Sequence, residues 1–107
     1  MVVRTEEKNG STVCAIDGDI DINSAPDVKK SFDKILAKKA PKVMIDLSCV
    51  SYVDSSGLAT LVEILKHMRT YGGKLVLCNM SAKVKSLFEI TKLDKLFAIV
   101  SDGTEAV

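Results

Sequence analysis

The chain has 107 residues, 47% of them hydrophobic and 27% charged, with 15 Lys plus Arg against 14 Asp plus Glu. That is length and apolar content enough for a single domain, residues 1–107, whose core needs neither metal nor disulfide staples, and it argues against disorder. The near-neutral balance excludes a broad basic field for nucleic acid, and no apolar run approaches the roughly 20 residues that span a bilayer. Arg4, Glu6, Glu7 and Lys8 place charge too early for a signal peptide. Cys14, Cys49 and Cys78 stand far apart in apolar contexts, with no Cys-x-x-Cys pair, and read as buried thiols in a reducing cytosol.

Val2, Val3 and Thr5 open an edge strand. Asn9-Gly10 is a strong two-residue hairpin signal, so Ser11 to Ile16 is predicted to return antiparallel to it. Asp17-Gly18-Asp19 breaks that strand. Ile20 to Ser24 leads into a helix with Ser24 as its predicted N-cap, Pro26 in the first turn and Asp27 completing a weak capping box. Ala25, Val28, Phe32, Ile35 and Leu36 recur there at helical spacing, and Pro41 stops the pattern.

Lys42 to Leu47 is nearly continuous in apolar residues, as expected of a strand in mid-sheet. After a connector, Leu58, Leu61, Val62, Leu65 and Met68 form one wide helical stripe, with Glu63, Lys66, His67 and Thr70 on the other side and Gly72-Gly73 at the end. Lys74 to Cys78 is a further strand. Ser81 is predicted to cap a third helix with Val84, Leu87 and Phe88 inward, and Leu96 to Val100 to add a short last strand. Residues 101–107 read as a frayed helix at most. Strand, helix and strand in this order require a right-handed parallel crossover. The expected fold class is therefore α/β: a mixed four- to five-stranded sheet, with an N-terminal antiparallel hairpin plus parallel βαβ crossovers, and helices packed mainly on one face.

Asp54-Ser55-Ser56-Gly57-Leu58 lies where a buried strand hands over to the strongest helix. A helix start presents unpaired N–H groups and the positive end of the dipole, so it can be capped, bind an anion or display a serine. Hydrolysis is excluded: the Gly-x-Ser-x-Gly elbow is missing, and the one histidine, His67, lies roughly 16 Å further along the helix. The phosphate-cradling Gly-x-x-x-x-Gly-Lys pattern is missing too. Asp19, Asp21 and Asp54 have no spacing that forces them into a magnesium site. One of Ser55 and Ser56 is expected to cap the helix, worth about 1 kcal/mol. The run carries more polar groups than a cap requires, which leaves display of a serine.

Gly18-Asp19-Ile20-Asp21, Ser24-Ala25-Pro26, Asp46-Leu47-Ser48, Asp54-Ser55-Ser56-Gly57-Leu58, Gly73-Lys74-Leu75 and Val84-Lys85-Ser86-Leu87-Phe88 occur in that order. In these motifs the chain closely resembles the bacterial anti-sigma factor antagonists, single STAS domains, over almost its whole length, although Asp19 stands where glutamate is common. The resemblance implies partner switching. An unphosphorylated antagonist binds an anti-sigma factor that is also a serine kinase, which frees the sigma factor; phosphorylation of Ser55 releases the kinase, and a serine phosphatase resets the cycle. ATP and magnesium belong to the kinase. The chain would then be a substrate and binder rather than an enzyme, a cytoplasmic monomer with no cofactor and no direct contact with nucleic acid or membrane. Asp21, Asp54, Ser55, Ser56 and Gly57 would form its partner-binding surface. The other expectation is a STAS-type module that binds a small anionic ligand or nucleotide, or scaffolds a signalling complex.

Overall fold

A computed structural model describes residues 2–100. Its first turn is Asn9-Gly10, whose φ values of 51° and 79° are the positive pair of a type I′ turn. That turn joins β1 (Val2–Lys8) to β2 (Ser11–Asp17) in antiparallel register, from Val2 opposite Asp17 to Lys8 opposite Ser11. β3 (Lys42–Cys49), β4 (Lys74–Cys78) and β5 (Ala98–Val100) follow, each parallel to the strand before it. The sheet order is accordingly β1-β2-β3-β4-β5.

The crossovers are α1 (Ala25–Ala37), α2 (Ser55–Thr70) and α3 (Ala82–Ile90), the last followed by a 3-10 turn at Leu93–Lys95 that the periodicity did not reveal. The expected mixed sheet is the one formed. The tail, expected as a frayed helix, lies outside the described residues.

The helices pack on one face. Cys14, Ile16, Val43, Ile45, Leu47, Leu75 and Leu77 of the sheet meet Val28 and Phe32 of α1, Leu61 and Met68 of α2, and Val84 and Phe88 of α3. The other face holds a separate cluster of Met44, Val76 and Cys78, flanked by Val13 and Val100, to which no described helix residue contributes. β3 is buried from both sides along Val43, Met44 and Ile45, which explains its unbroken apolar run. On α2 the buried stripe also takes in Thr60 and Ile64, while Val62, expected inward, is half-buried at its margin. That helix ends in a Schellman motif: Gly73 N–H donates to Met68 O and Gly72 N–H to Arg69 O, with Gly72 at φ 78°.

One cysteine departs from expectation. Cys14 and Cys78 are buried, but Cys49 is exposed, because it ends β3 three residues beyond Asp46, the last residue that β4 covers. Burial pushes the Cys14 thiol up to about 11, against a smaller opposing hydrogen bond with Thr5, so it is unreactive at neutral pH. Labelling the native chain with a thiol reagent is expected to modify Cys49 rapidly, and Cys14 and Cys78 only on unfolding. Three fast thiols would contradict this packing.

Candidate functional site

The site is built where β2 and β3 run out at their carboxyl ends, the usual place for binding in open α/β sheets. Beyond the last paired residues the two chains stay tied. Gly18 N–H donates to Cys49 O (3.2 Å), Ile20 N–H to Tyr52 O (3.0 Å) and Asp54 N–H to Ile20 O (3.0 Å), and Ile20 forms an isolated parallel bridge with Val53. The Asp19 carboxylate accepts from Ser51 Oγ at 2.9 Å. These bonds fix the two loops as one unit before α2 begins.

The cap of α2 is neither serine. Asp54, in extended conformation, accepts Gly57 N–H on Oδ1 at 2.9 Å and Ile22 N–H on Oδ2 at 3.1 Å. The expectation that Ser55 or Ser56 would cap is thereby corrected: the carboxylate one residue earlier reaches the same donor and forms the stronger, charge-assisted bond. Ser55 becomes the first residue of the helix and is exposed, and among the described residues its hydroxyl has no hydrogen-bond partner. Ser56 is half-buried, and its carbonyl accepts from Thr60 Oγ1. The free N–H groups of the first turn lie beside Ser55.

Gly57 permits this approach. A Cβ there would collide with the Ile20 carbonyl oxygen and lie 2.8 Å from Ile20 Cγ2 and 2.9 Å from Val53 Cγ1. Only glycine lets the first turn of α2 rest on the Ile20 backbone.

The start of α1 also departs from expectation. Ser24 has helical dihedrals and makes no side-chain cap; its hydroxyl donates to Asp19 O at 2.7 Å and accepts from Asp21 N–H at 3.0 Å. Asp21 instead starts a lead-in turn, its Oδ1 accepting from Asn23 N–H (2.9 Å) and Ser24 N–H (3.0 Å). Asp21 therefore sits one residue before Ile22, the residue that Asp54 holds. The structure thus brings Asp21, Asp54, Ser55, Ser56 and Gly57 to one end of the sheet. Among the described residues no three His, Cys, Asp or Glu side chains group as a metal site. His67 lies far along α2, exposed and edge-on to Tyr71.

A further carboxylate braces this end. Asp46 Oδ1 accepts from Ser48 N–H at 2.9 Å and Asn79 Nδ2 at 3.1 Å, tying β3 to the loop after β4. Burial pushes its carboxyl up, but the bonds from the Ser48 backbone, Asn79 and the Ser48 hydroxyl together outweigh it and hold the pKa below the ordinary value. A depressed folded pKa contributes stability above the unfolded value of about 3.9, lost as pH falls through the folded one. Asp46→Asn is expected to lower the Tm at pH 7, with the gap from the unsubstituted chain narrowing as the pH falls below the unfolded value, as a series of thermal melts from neutral into acid would show.

Two exposed side chains on these loops, Ile22 and Tyr52, were not singled out by sequence reasoning: Ile22 reads as part of a short polar and apolar alternation and Tyr52 as part of an apolar connector. The Asp54 cap had a legible signal: Asp ranks with Ser at N-cap positions.

The STAS domain family model matches residues 2–106. The anti-sigma-B factor antagonist of Listeria monocytogenes is 39% identical over 82 residues, covering 77% of this chain and 72% of the relative. That of Bacillus subtilis is 38% identical over 84 residues, 78% of this chain and 76% of the relative. The crystal structure of an anti-sigma factor antagonist from Mycobacterium paratuberculosis matches with a TM-score of 0.90 at 25% identity, over 98% of this chain and 89% of that one. The chain belongs to the STAS domain family, among its anti-sigma factor antagonists.

Proposed function

We propose that this single-domain chain is an anti-sigma factor antagonist that switches partners through phosphorylation of Ser55. Unphosphorylated, it binds an anti-sigma serine kinase and so frees a sigma factor for transcription. The kinase passes the γ-phosphoryl group of ATP to Ser55 Oγ, the hydroxyl proton leaves, ADP departs, and the phosphorylated antagonist lets go until a serine phosphatase restores it. The chain is a substrate and binder, not an enzyme, and acts in the cytoplasm beside its kinase. Among the described residues no helix is long and apolar enough to cross a membrane.

The observation that carries this reading is the exposed Ser55 hydroxyl at the first position of α2, left out of the cap by Asp54. A phosphoserine brings about −1.5 to −2 charges at pH 7. The N–H groups of the first turn can receive them, which spares the fold, while Asp54 and Asp21 oppose them. The balance favours altered docking over unfolding. Since about 1.4 kcal/mol is a tenfold change in Kd, one such group in an interface suffices as a switch.

The test uses the chain and a purified anti-sigma serine kinase from the same organism. Ser55→Ala should bind like the unsubstituted chain and Ser55→Asp at least about tenfold more weakly. Mass spectrometry after incubation with ATP should place phosphate on Ser55. Equal binding by the two variants, or phosphate confined to Ser56, would refute the assignment.

A further inference from the structure

Four large apolar side chains are well exposed among the described residues: Val2, Ile22, Tyr52 and Ile90, at 53%, 68%, 41% and 77%. Exposed apolar residues scattered singly call for no explanation. Ile22 and Tyr52 are different, because both sit on the loops that frame Ser55 and both are tied to the residue before it, Ile22 directly and Tyr52 through Ile20. Ile22 N–H donates to Asp54 Oδ2 at 3.1 Å. Tyr52 O accepts from Ile20 N–H, and Ile20 O accepts from Asp54 N–H, each at 3.0 Å. The Tyr52 ring is further held under Lys83, whose Nζ lies 5.9 Å from its centroid. Side chains presented on a backbone already ordered lose little freedom on binding, and aromatic and apolar anchors of that kind carry most of an interface's energy.

The loops' own charge is of one sign, with Lys83 of α3 bringing a cation over Tyr52. Residues 17–24 and 48–56 contain Asp17, Asp19, Asp21 and Asp54 and no Lys or Arg, in a chain whose formal net charge is +1. A macromolecule that reaches Ser55 Oγ must lay its surface over these loops.

We propose that Ile22 and Tyr52 are the apolar anchors on which the serine kinase docks to reach Ser55, and that the kinase meets them with an apolar recess rimmed by Arg or Lys. The inference rests on the Ser55 reading above and specifies how the partner is recognised. Asp54 is then a positioning residue, since its second carboxylate oxygen holds Ile22 beside the serine.

The experiment measures Kd by calorimetry, and the steady-state kinetics of Ser55 phosphorylation, with the same purified kinase and ATP. Ile22→Ser and Tyr52→Ser are compared with Ile90→Ser, which removes a still more exposed side chain from the end of α3. Each anchor variant is expected to bind at least about tenfold more weakly and to raise KM with little change in kcat, while Ile90→Ser stays within about twofold. Added salt should weaken binding of the unsubstituted chain. If that chain binds and is phosphorylated but both anchor variants match it, the docking inference is wrong and the switch stands. Affinity indifferent to salt would remove the basic rim from the proposal. If the unsubstituted chain neither binds nor is phosphorylated, the switch itself fails, and the docking inference with it.

Discussion

Replacing Gly57 by alanine is expected to destabilise the chain by about 2 kcal/mol, although helix propensity alone favours alanine by about 1 kcal/mol. The steric term decides the sign. The new methyl would meet the Ile20 carbonyl oxygen, Ile20 Cγ2 and Val53 Cγ1, the last two at 2.8 and 2.9 Å. None of these is the end of a flexible side chain, and the carbonyl already accepts the Asp54 N–H. The first turn of α2 would have to withdraw from Ile20, and Ser55 with it. Urea denaturation gives the loss, and amide exchange over the first turn should show that it is local. A variant as stable as the unsubstituted chain would mean that α2 does not rest on the Ile20 backbone.

Asp54→Ala is expected to cost about 2 kcal/mol, the upper range for an N-cap plus one charge-assisted bond at the surface. Both carboxylate oxygens are used, one on the helix and one on the Ile22 loop, so no single substitution restores the pair. Asparagine can accept from Gly57 with its one oxygen but would turn an NH₂ group toward the Ile22 N–H. Serine can cap but not span to Ile22. The expected order of stability is Asp, then Asn and Ser together, then Ala, measured by chemical denaturation. If Asp54→Ser or Asp54→Asn proves as stable as the unsubstituted chain, the Ile22 bond contributes nothing.

The caps of α1 and α2 depart from expectation for different reasons. At α1 the Ser24 hydroxyl is engaged by Asp19 O and Asp21 N–H, and Asp27 N–H goes to the Ser24 carbonyl, so no side chain caps the helix; at α2 Asp54 takes the Gly57 N–H that Ser55 could have accepted. Ser81, with Asn79 and Met80 before it and no carboxylate nearby in sequence, caps α3 as expected, accepting from Val84 N–H at 3.2 Å. An ionised acceptor within reach of the same N–H wins over a hydroxyl, and a residue-type ranking that places Asp and Ser level does not show that contest. The strands, the hairpin and the buried stripes were legible because each depends on turn chemistry or periodicity within a few residues. Cys49 was not, since its exposure depends on how far β4 extends beside it. The site itself was legible in position, and its geometry was not: Ile22 approaches Asp54 across 32 residues of sequence.

The strands lie across the sheet in the order in which they are synthesised. Growth can therefore proceed from one side as the chain leaves the ribosome. The first hairpin closes over two residues, each later helix delivers one strand to the newest edge, and no strand has to slip between two already paired. The hairpin closure carries little entropic cost, whereas each parallel crossover must first close over a whole helix and is the slower step. The backbone and carboxylate bonds that hold the turn of Ser55 all lie within residues 18–58. The bonds that set the serine's turn are thus encoded before the later strands, which add the brace from Asn79 to Asp46 and the Lys83 contact with Tyr52.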